Sequence, residues 1–212
     1  MKTAIIGLGN IGSTVASNLI TGGQEVIVVD HDQARASAFA QGSGGKARSA
    51  DLPEALAQAE IIVLAIYFDA IKELLADNRS QLAGKIIVDP SNPIAPDGKG
   101  GFKKTIPDEQ SSGKVIAALL PDGAKLVKAF GTLGVASLKA GANRTPQRAV
   151  LFYATDDEAA GAKVAKLISA SGFDPVAAGG IDQSIRLEVF GDLHEFGKLG
   201  RLVSAEEAAG VV

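Results

Sequence analysis

The chain of 212 residues has no cysteine, no tryptophan and one methionine, and only 5% of it is aromatic. Without cysteine there is no disulfide scaffold and no thiolate metal site. The 46% hydrophobic content therefore describes an aliphatic core, and it excludes a disordered chain. Long apolar runs are lacking too. The longest, Ile61–Phe68, falls far short of the ~20 residues that span a bilayer, so no membrane association is expected. The opening Met1–Ile6 is broken by Gly7, Gly9, Asn10 and Gly12 before a secretion signal can form, which makes the cytoplasm the expected location. A net charge of −3 gives no field to attract nucleic acid, and the one basic cluster, Lys99, Lys103 and Lys104, is small. No metal-ligand cluster is present, and neither tyrosine belongs to a Tyr-x-x-x-Lys pair.

Glycine is abundant instead: 25 residues, against an average of roughly 7%. Nearly continuous apolar runs at Thr3–Gly7, Glu25–Asp30, Ile61–Tyr67, Lys85–Asp89, Lys125–Phe130, Ala149–Thr155 and Phe173–Ala177 alternate with helix-length segments such as Asn10–Ile20, Gln33–Ala40 and Asp51–Ala59. Strands apolar on both faces and alternating with helices predict an α/β fold, a doubly wound Rossmann-type sheet that is mostly parallel. Residues 1–180 are read as this nucleotide-binding domain. Residues 94–113, with two prolines and four glycines, are read as a long loop and possible lid. Helical spacing at Ile185, Val189, Leu193 and Phe196 marks residues 181–212 as a short C-terminal helical segment, helical to about Val203, that packs on the sheet, on a partner subunit, or on both.

Gly7-Leu8-Gly9-Asn10-Ile11-Gly12 matches G-x-G-x-x-G in its required context, after a strand and at the start of a helix. Gly7 permits the tight turn, Gly9 lets the backbone approach a pyrophosphate, and Gly12 lets the helix pack on the sheet. The second strand ends in Asp30, placed to accept from ribose hydroxyls. A 2′-phosphate there would meet Asp30 and Asp32, at about 1–4 kcal/mol for unit charges ~4 Å apart. Arg35 is the one nearby cation, and His31 is a surface or adenine contact. NAD(H) is therefore favoured over NADP(H). Ligands in such folds sit beyond the C-terminal strand ends, here Ala65-Ile66-Tyr67-Phe68, Asp89-Pro90-Ser91-Asn92 and Phe130–Gly134. Tyr67 and Phe68 are candidate walls for the nicotinamide, or core. Asn92 and Thr132 are candidates to hold a carboxamide or the acceptor, or turn caps. Thr132, Tyr67 and His194 are the candidate proton donors, none with a catalytic constellation around it, and His194 reads first as a surface or interface histidine.

The chain resembles the deazaflavin coenzyme F420-dependent NADP reductases, and is similar to the cytosolic nicotinamide-binding domain of transmembrane ferric reductases. The likeness rests on Gly7–Gly12, Ala65-Ile66-Tyr67, Asp89-Pro90-Ser91-Asn92, the glycine-rich insertion through Phe102, Lys128-Ala129-Phe130 with Thr132, and the Ser184/Arg186/Glu188 region. The resemblance implies cofactor contacts at Leu8, Gly9, Asn10, Ile11, Ile66 and Tyr67, and an acceptor near Pro90, Thr132, Leu133 and Glu188. It also implies a homodimer. The chain departs from the pattern at Asp30-His31-Asp32, where NADP-type members carry Ser-Arg, and at Thr132-Leu133-Gly134 in place of Thr-Ile-Pro.

These features together predict an NAD(P)-dependent oxidoreductase passing hydride between a nicotinamide and a small-molecule acceptor, a flavin or deazaflavin. The alternatives are reduction of a small carbonyl or imine, and a non-enzymatic NAD(H)-sensing protein.

Overall fold

Runs such as Val26–Val29 and Ile61–Leu64 are buried at every position, as only a strand covered on both faces allows. In the computed structural model, which describes residues 1–212, ten strands form. They are β1 (Thr3–Ile6), β2 (Val26–Val29), β3 (Ala47–Ser49), β4 (Ile61–Leu64), β5 (Ile86–Asp89), β6 (Ile94–Pro96), β7 (Phe102–Lys104), β8 (Lys125–Lys128), β9 (Val150–Tyr153) and β10 (Asp174–Ala177). Six make the central sheet in the order β3-β2-β1-β4-β5-β8, every pairing parallel. The doubly wound fold is thus as expected, and the strand order reverses between β1 and β4, the switch point where such sheets bind ligands.

Alternate residues feed two cores. Ile5, Val28, Val63, Val88 and Val127 point to one face, under the helices Asn10–Thr21 and Glu158–Ala170. Ile6, Ile27, Ile62, Leu64 and Ile87 point to the other, under the helices Leu52–Gln58, Phe68–Asp77 and Ser112–Leu119. The strands expected at 149–155 and 173–177 form a separate parallel pair, β9–β10, which meets the main sheet through a single antiparallel bridge from Ala154 to Lys128. No helix is long and apolar enough to cross a membrane.

Two segments differ from expectation. Residues 94–113 are not one loop: β6 and β7 form an antiparallel hairpin, and the helix Ser112–Leu119 begins inside the stretch, capped by Ser111. Asp97 closes the hairpin by accepting from the Lys99 and Gly101 amides at 2.7 and 2.9 Å. Three-residue strands carry no readable period, and a turn sets this pairing. The C-terminal segment is helical only in short turns, at Ile181–Gln183, Ser184–Leu187 and Ala205–Ala208. From Glu188 on it folds back on itself so tightly that a Cβ on Gly191 would stand 2.4 Å from the Ile185 and Arg186 carbonyl oxygens. Its apolar residues Leu187, Leu193, Val203 and Ala208 still pack, against Val150 and Phe152 of β9. Of the four residues that the helical spacing marked, Val189 and Leu193 are buried, Ile185 is half-buried and Phe196 is exposed, so the spacing anticipated half of the burial and not the conformation.

The helix Asn10–Thr21 lies against β1 and β4 through Gly12, where a Cβ would stand 1.9 Å from the Gly7 carbonyl oxygen and 2.9 Å from Ala65 Cβ. Gly12→Ala is expected to lower stability by at least ~1–3 kcal/mol, the ordinary cost of overpacking, in chemical denaturation.

Candidate functional site

The glycine loop contains two kinds of glycine. Gly7 has φ +94, and a Cβ on it would stand 2.5 Å from the Ala65 carbonyl oxygen. Gly7 and Gly12 are thus demanded by the fold itself. Gly9 has φ −65 and nothing within 4 Å of its Cβ position. Nothing in the fold requires a glycine there.

Gly9 begins the helix Asn10–Thr21 with no side-chain cap and no acid in the first turn. The helices after β4 and β8, Phe68–Asp77 and Val135–Ala140, also lack a side-chain cap on their N-cap residues, Tyr67 and Gly134. The helices after β2, β3 and β9 are capped by Asp32, Asp51 and Asp157. The open helix starts lie at the C-terminal edge of the sheet, on both sides of the switch point, with N–H groups suited to anions.

Asp30, at the end of β2, is turned inward. Its Oδ2 accepts from the Leu8 amide at 2.7 Å and its Oδ1 from the Asp32 amide at 2.9 Å, while Arg35 and His31 approach Oδ1 at 3.4 and 3.1 Å. Burial alone pushes its carboxyl up, but these two amides, with Arg35 and His31, outweigh it and hold it below the usual carboxylate value. Asp30 therefore shapes the glycine loop as well as facing the cleft. Beside it lies a cavity of about 370 Å³ lined by Gly7, Asp30, His31, Ala50, Leu52 and Ile66, more apolar than polar. These linings suit an adenosine.

Of the candidate ring walls, Tyr67 is 89% exposed and Phe68 is core. Pro90 and Leu133 are buried, and Ala65 and Ile66 half-buried. Asn92 links two other segments: its Nδ2 donates to the Gly131 carbonyl at 3.1 Å and its Oδ1 accepts from the Val189 amide at 2.7 Å. The Thr132 hydroxyl is buried without a partner, as is that of Ser91. Phe130 and Phe190 flank this rim with φ +64 and +77, a backbone state bulky residues rarely adopt and one that gathers at functional sites.

His194 is buried, and its Nδ1 accepts from the Phe196 amide at 2.9 Å. Burial lowers its pKa to about 4, with the Lys128 charge adding to the effect and the Gly131 bond opposing it. A buried imidazole that is neutral above about pH 4 and accepts from the Phe196 amide acts as a fastener of its own segment.

One group of residues had no local signal: a closed ionic cluster under the rim. Lys128, Asp89 and Glu188 are all at most 2% exposed. The Lys128 ammonium donates to Asp89 Oδ2 at 2.7 Å, to Ser112 Oγ at 2.7 Å and to the Ser91 carbonyl. Glu188 Oε1 accepts from Ser112 Oγ at 2.9 Å and from the Gly113 amide at 3.2 Å. Burial and the Asp89 charge push the Glu188 carboxyl above its usual value, against Lys128, Ser112 and Gly113. The available signal was a pair of opposite charges, each ending an apolar strand, that the parallel register sets side by side as Asp89 and Lys128.

Comparison with known proteins adds a family. The family model for coenzyme F420-dependent NADP oxidoreductases matches residues 2–93, from β1 through the turn after β5. A hypothetical protein of Sinorhizobium meliloti is 30% identical over 96% of this chain and 95% of its own, with a TM-score of 0.84. A protein proposed to be an F420-dependent NADP reductase of Arthrobacter sp. FB24 is 27% identical over 87% of each chain, with a TM-score of 0.75. A reductive aminase of Aspergillus terreus, solved with NADPH and ethyl levulinate, shares the fold at 20% identity and a TM-score of 0.63, over 55% of its own length. No curated protein matches the chain.

The buried imidazole makes stability pH-dependent. Below pH 6.5 the unfolded chain takes up a proton that folded His194 refuses until about pH 4. Stability is therefore full above pH 6.5 and falls by roughly 3 kcal/mol on the way to pH 4. Denaturant titrations at stepped pH are expected to show this loss in the wild type, and not in His194→Gln.

Proposed function

This chain belongs to the coenzyme F420-dependent NADP oxidoreductase family, and we propose that it is an NAD(P)-dependent oxidoreductase that passes hydride from a nicotinamide to a flavin-like or deazaflavin acceptor. The observation that carries the reading is Gly9, a glycine the fold does not need at the uncapped start of a helix. In this reading the pyrophosphate rests on Leu8–Gly12, where Gly9, Asn10 and Ile11 offer free amides. Adenosine fills the cavity beside Asp30 and His31. The nicotinamide end lies toward Ala65, Ile66, Tyr67, Pro90 and Asn92, and the acceptor against Thr132, Leu133 and Glu188. When bound, the dihydronicotinamide supplies a hydride. The chain's own work is to hold two rings face to face at the switch point and keep water out, which is proximity and orientation catalysis.

Charge at the ribose end supports NAD(H) over NADP(H). Arg35 is already 3.4 Å from Asp30 and 3.9 Å from Asp32, and Asp51 lines the same cavity. A 2′-phosphate would meet three carboxylates and one committed cation. The names of the Arthrobacter and Aspergillus proteins mention NADP and NADPH, and the NAD(H) preference proposed here rests on Asp30-His31-Asp32 of this chain alone.

Reduction of a small carbonyl or imine is the second reading, favoured by the partnerless Thr132 hydroxyl at the rim. A homodimer that completes the acceptor site through residues 181–212 accords with either.

Gly9→Asp is expected to fold with an unchanged melting temperature, since its Cβ meets nothing, and to lose nicotinamide binding by more than about tenfold because the carboxylate would face the pyrophosphate. Fluorescence titration with NADH reads this, and retained affinity counts against the reading. A turnover screen of NADH and NADPH against FMN, FAD, riboflavin, a deazaflavin and small imines names the acceptor. Binding without turnover of any would leave the sensing alternative. A preference for NADPH above tenfold would overturn the assignment from Asp30.

A further inference from the structure

We propose that Glu188 is the proton donor of the reaction, its carboxylic acid carrying on Oε2 the proton that follows the hydride onto the acceptor. This rests on the hydride-transfer reading above.

The hydrogen-bond pattern assigns the proton. Lys128 has three ammonium protons, and each has an acceptor: Asp89 Oδ2, the Ser91 carbonyl and Ser112 Oγ. Ser112 Oγ therefore receives from the ammonium, and its own hydrogen points to Glu188 Oε1 at 2.9 Å rather than to Asp89 Oδ2 at 3.4 Å. The Gly113 amide donates to the same Oε1 at 3.2 Å. One carboxyl oxygen accepts twice, and the other, Oε2, is buried with no hydrogen-bonding partner in the chain.

The charges agree. The groups that face Glu188 are Lys128 from β8, Asp89 from β5, and Ser112 with Gly113 from the helix Ser112–Leu119. His194, on its own segment, is neutral above about pH 4. Asp89 forms the contact ion pair at 2.7 Å, whereas Glu188 stands 4.0 Å from the ammonium. One buried cation is neutralised by one anion, and a second buried anion with one bare oxygen is costly. A carboxylic acid fits the same atoms: its carbonyl is Oε1 and its O–H is on Oε2. That O–H is then a buried donor with no acceptor in the chain, and its proton reaches an outside acceptor by a bridging water or a shift of the rim.

The acid adjoins the rim. Asn92 holds Val189, the next residue, and Gly131, the neighbour of Thr132. Phe190 follows with φ +77 and its ring 55% exposed, so the chain leaves the interior immediately beyond the acid. The external acceptor is the conjugated ring nitrogen of a flavin or deazaflavin, or the nitrogen of an imine.

The step balances. As the acceptor gains the hydride, on carbon in a deazaflavin or an imine and on N5 in a flavin, the electron pair of the C=N bond or conjugated system moves onto the other nitrogen, N1 of the ring systems or the imine nitrogen, where the N–H bond forms as the Oε2–H bond breaks. The acceptor gains two electrons and two protons, and the nicotinamide loses two electrons with its hydride. The Glu188 carboxylate left behind keeps its Ser112 and Gly113 donors, faces Lys128, and regains a proton from solvent after release.

Two measurements test this on the full chain. In infrared spectra of the ligand-free protein at pH 7, the wild type is expected to show a buried carboxylic-acid carbonyl band that Glu188→Gln lacks; a wild type without that band overturns the proposal. In turnover with the acceptor found by the screen, Glu188→Gln is expected to keep its NADH affinity within about twofold and to lose 10²–10⁴-fold in rate. The wild-type rate should fall as pH rises through the raised Glu188 titration. That limb should vanish in Glu188→Gln and persist in Glu188→Asp, and small weak acids such as acetic acid should restore part of the lost rate. An equal loss at every pH without rescue would mean a structural role and overturn the proposal. If the wild type turns over no acceptor, the hydride-transfer reading fails and the donor role with it. An absent band with normal turnover defeats the donor role alone.

Discussion

A buried ammonium needs three acceptors and a counter-charge, and the Lys128 side chain draws them from three distant places: Asp89 and Ser91 after β5, and Ser112 at the start of a helix, with Glu188 of the C-terminal segment close behind. Hydrophobic burial presses strands and helices together without direction. The ion pair does have direction, and leaving either partner alone would strand a charge at a cost of about 3–5 kcal/mol. The segments that form the rim of the cleft therefore meet where Lys128 requires. Asn92 repeats the device one layer further out with neutral groups.

The Rossmann-type sheet was legible because its evidence is local and repeated. Runs such as Ile61–Leu64 have no polar face to turn to solvent, and Asp51-Leu52-Pro53-Glu54 announces a helix start. The glycine loop was legible through its context. Residues 94–113 and 188–203 were not, because turns and glycine contacts govern them. Gly191 and Gly197 sit where a Cβ would strike backbone, and no hydrophobic period encodes that. The ionic cluster was hidden for another reason. Asp89, Ser112, Lys128 and Glu188 are each unremarkable in their own neighbourhood, and only the strand register makes them a group.

Asp30 is a residue whose two readings coincide. The sequence marks it as a ribose ligand, whereas its hydrogen bonds make it a brace for Leu8 and Asp32. A carboxylate that fixes the loop also fixes the charge at the mouth of the adjoining cavity, so loop shape and local charge are set by one side chain. Gly7 and Gly9 differ in kind: a side chain on the first would strike Ala65, and one on the second would meet nothing in the chain.

The helices that follow β1 and β4 start at Gly9 and Tyr67, which offer no side chain to their first amides. Elsewhere in the chain Asp32, Asp51, Asp157 and Ser204 perform that service. A dinucleotide diphosphate resting on the first helix would act as a borrowed cap. Part of the folding free energy would then belong to the solution and not to the chain, growing with the logarithm of the free nucleotide concentration. Depletion of the nucleotide pool would loosen the glycine loop first, and the protein's lifetime would follow the supply of its own cofactor.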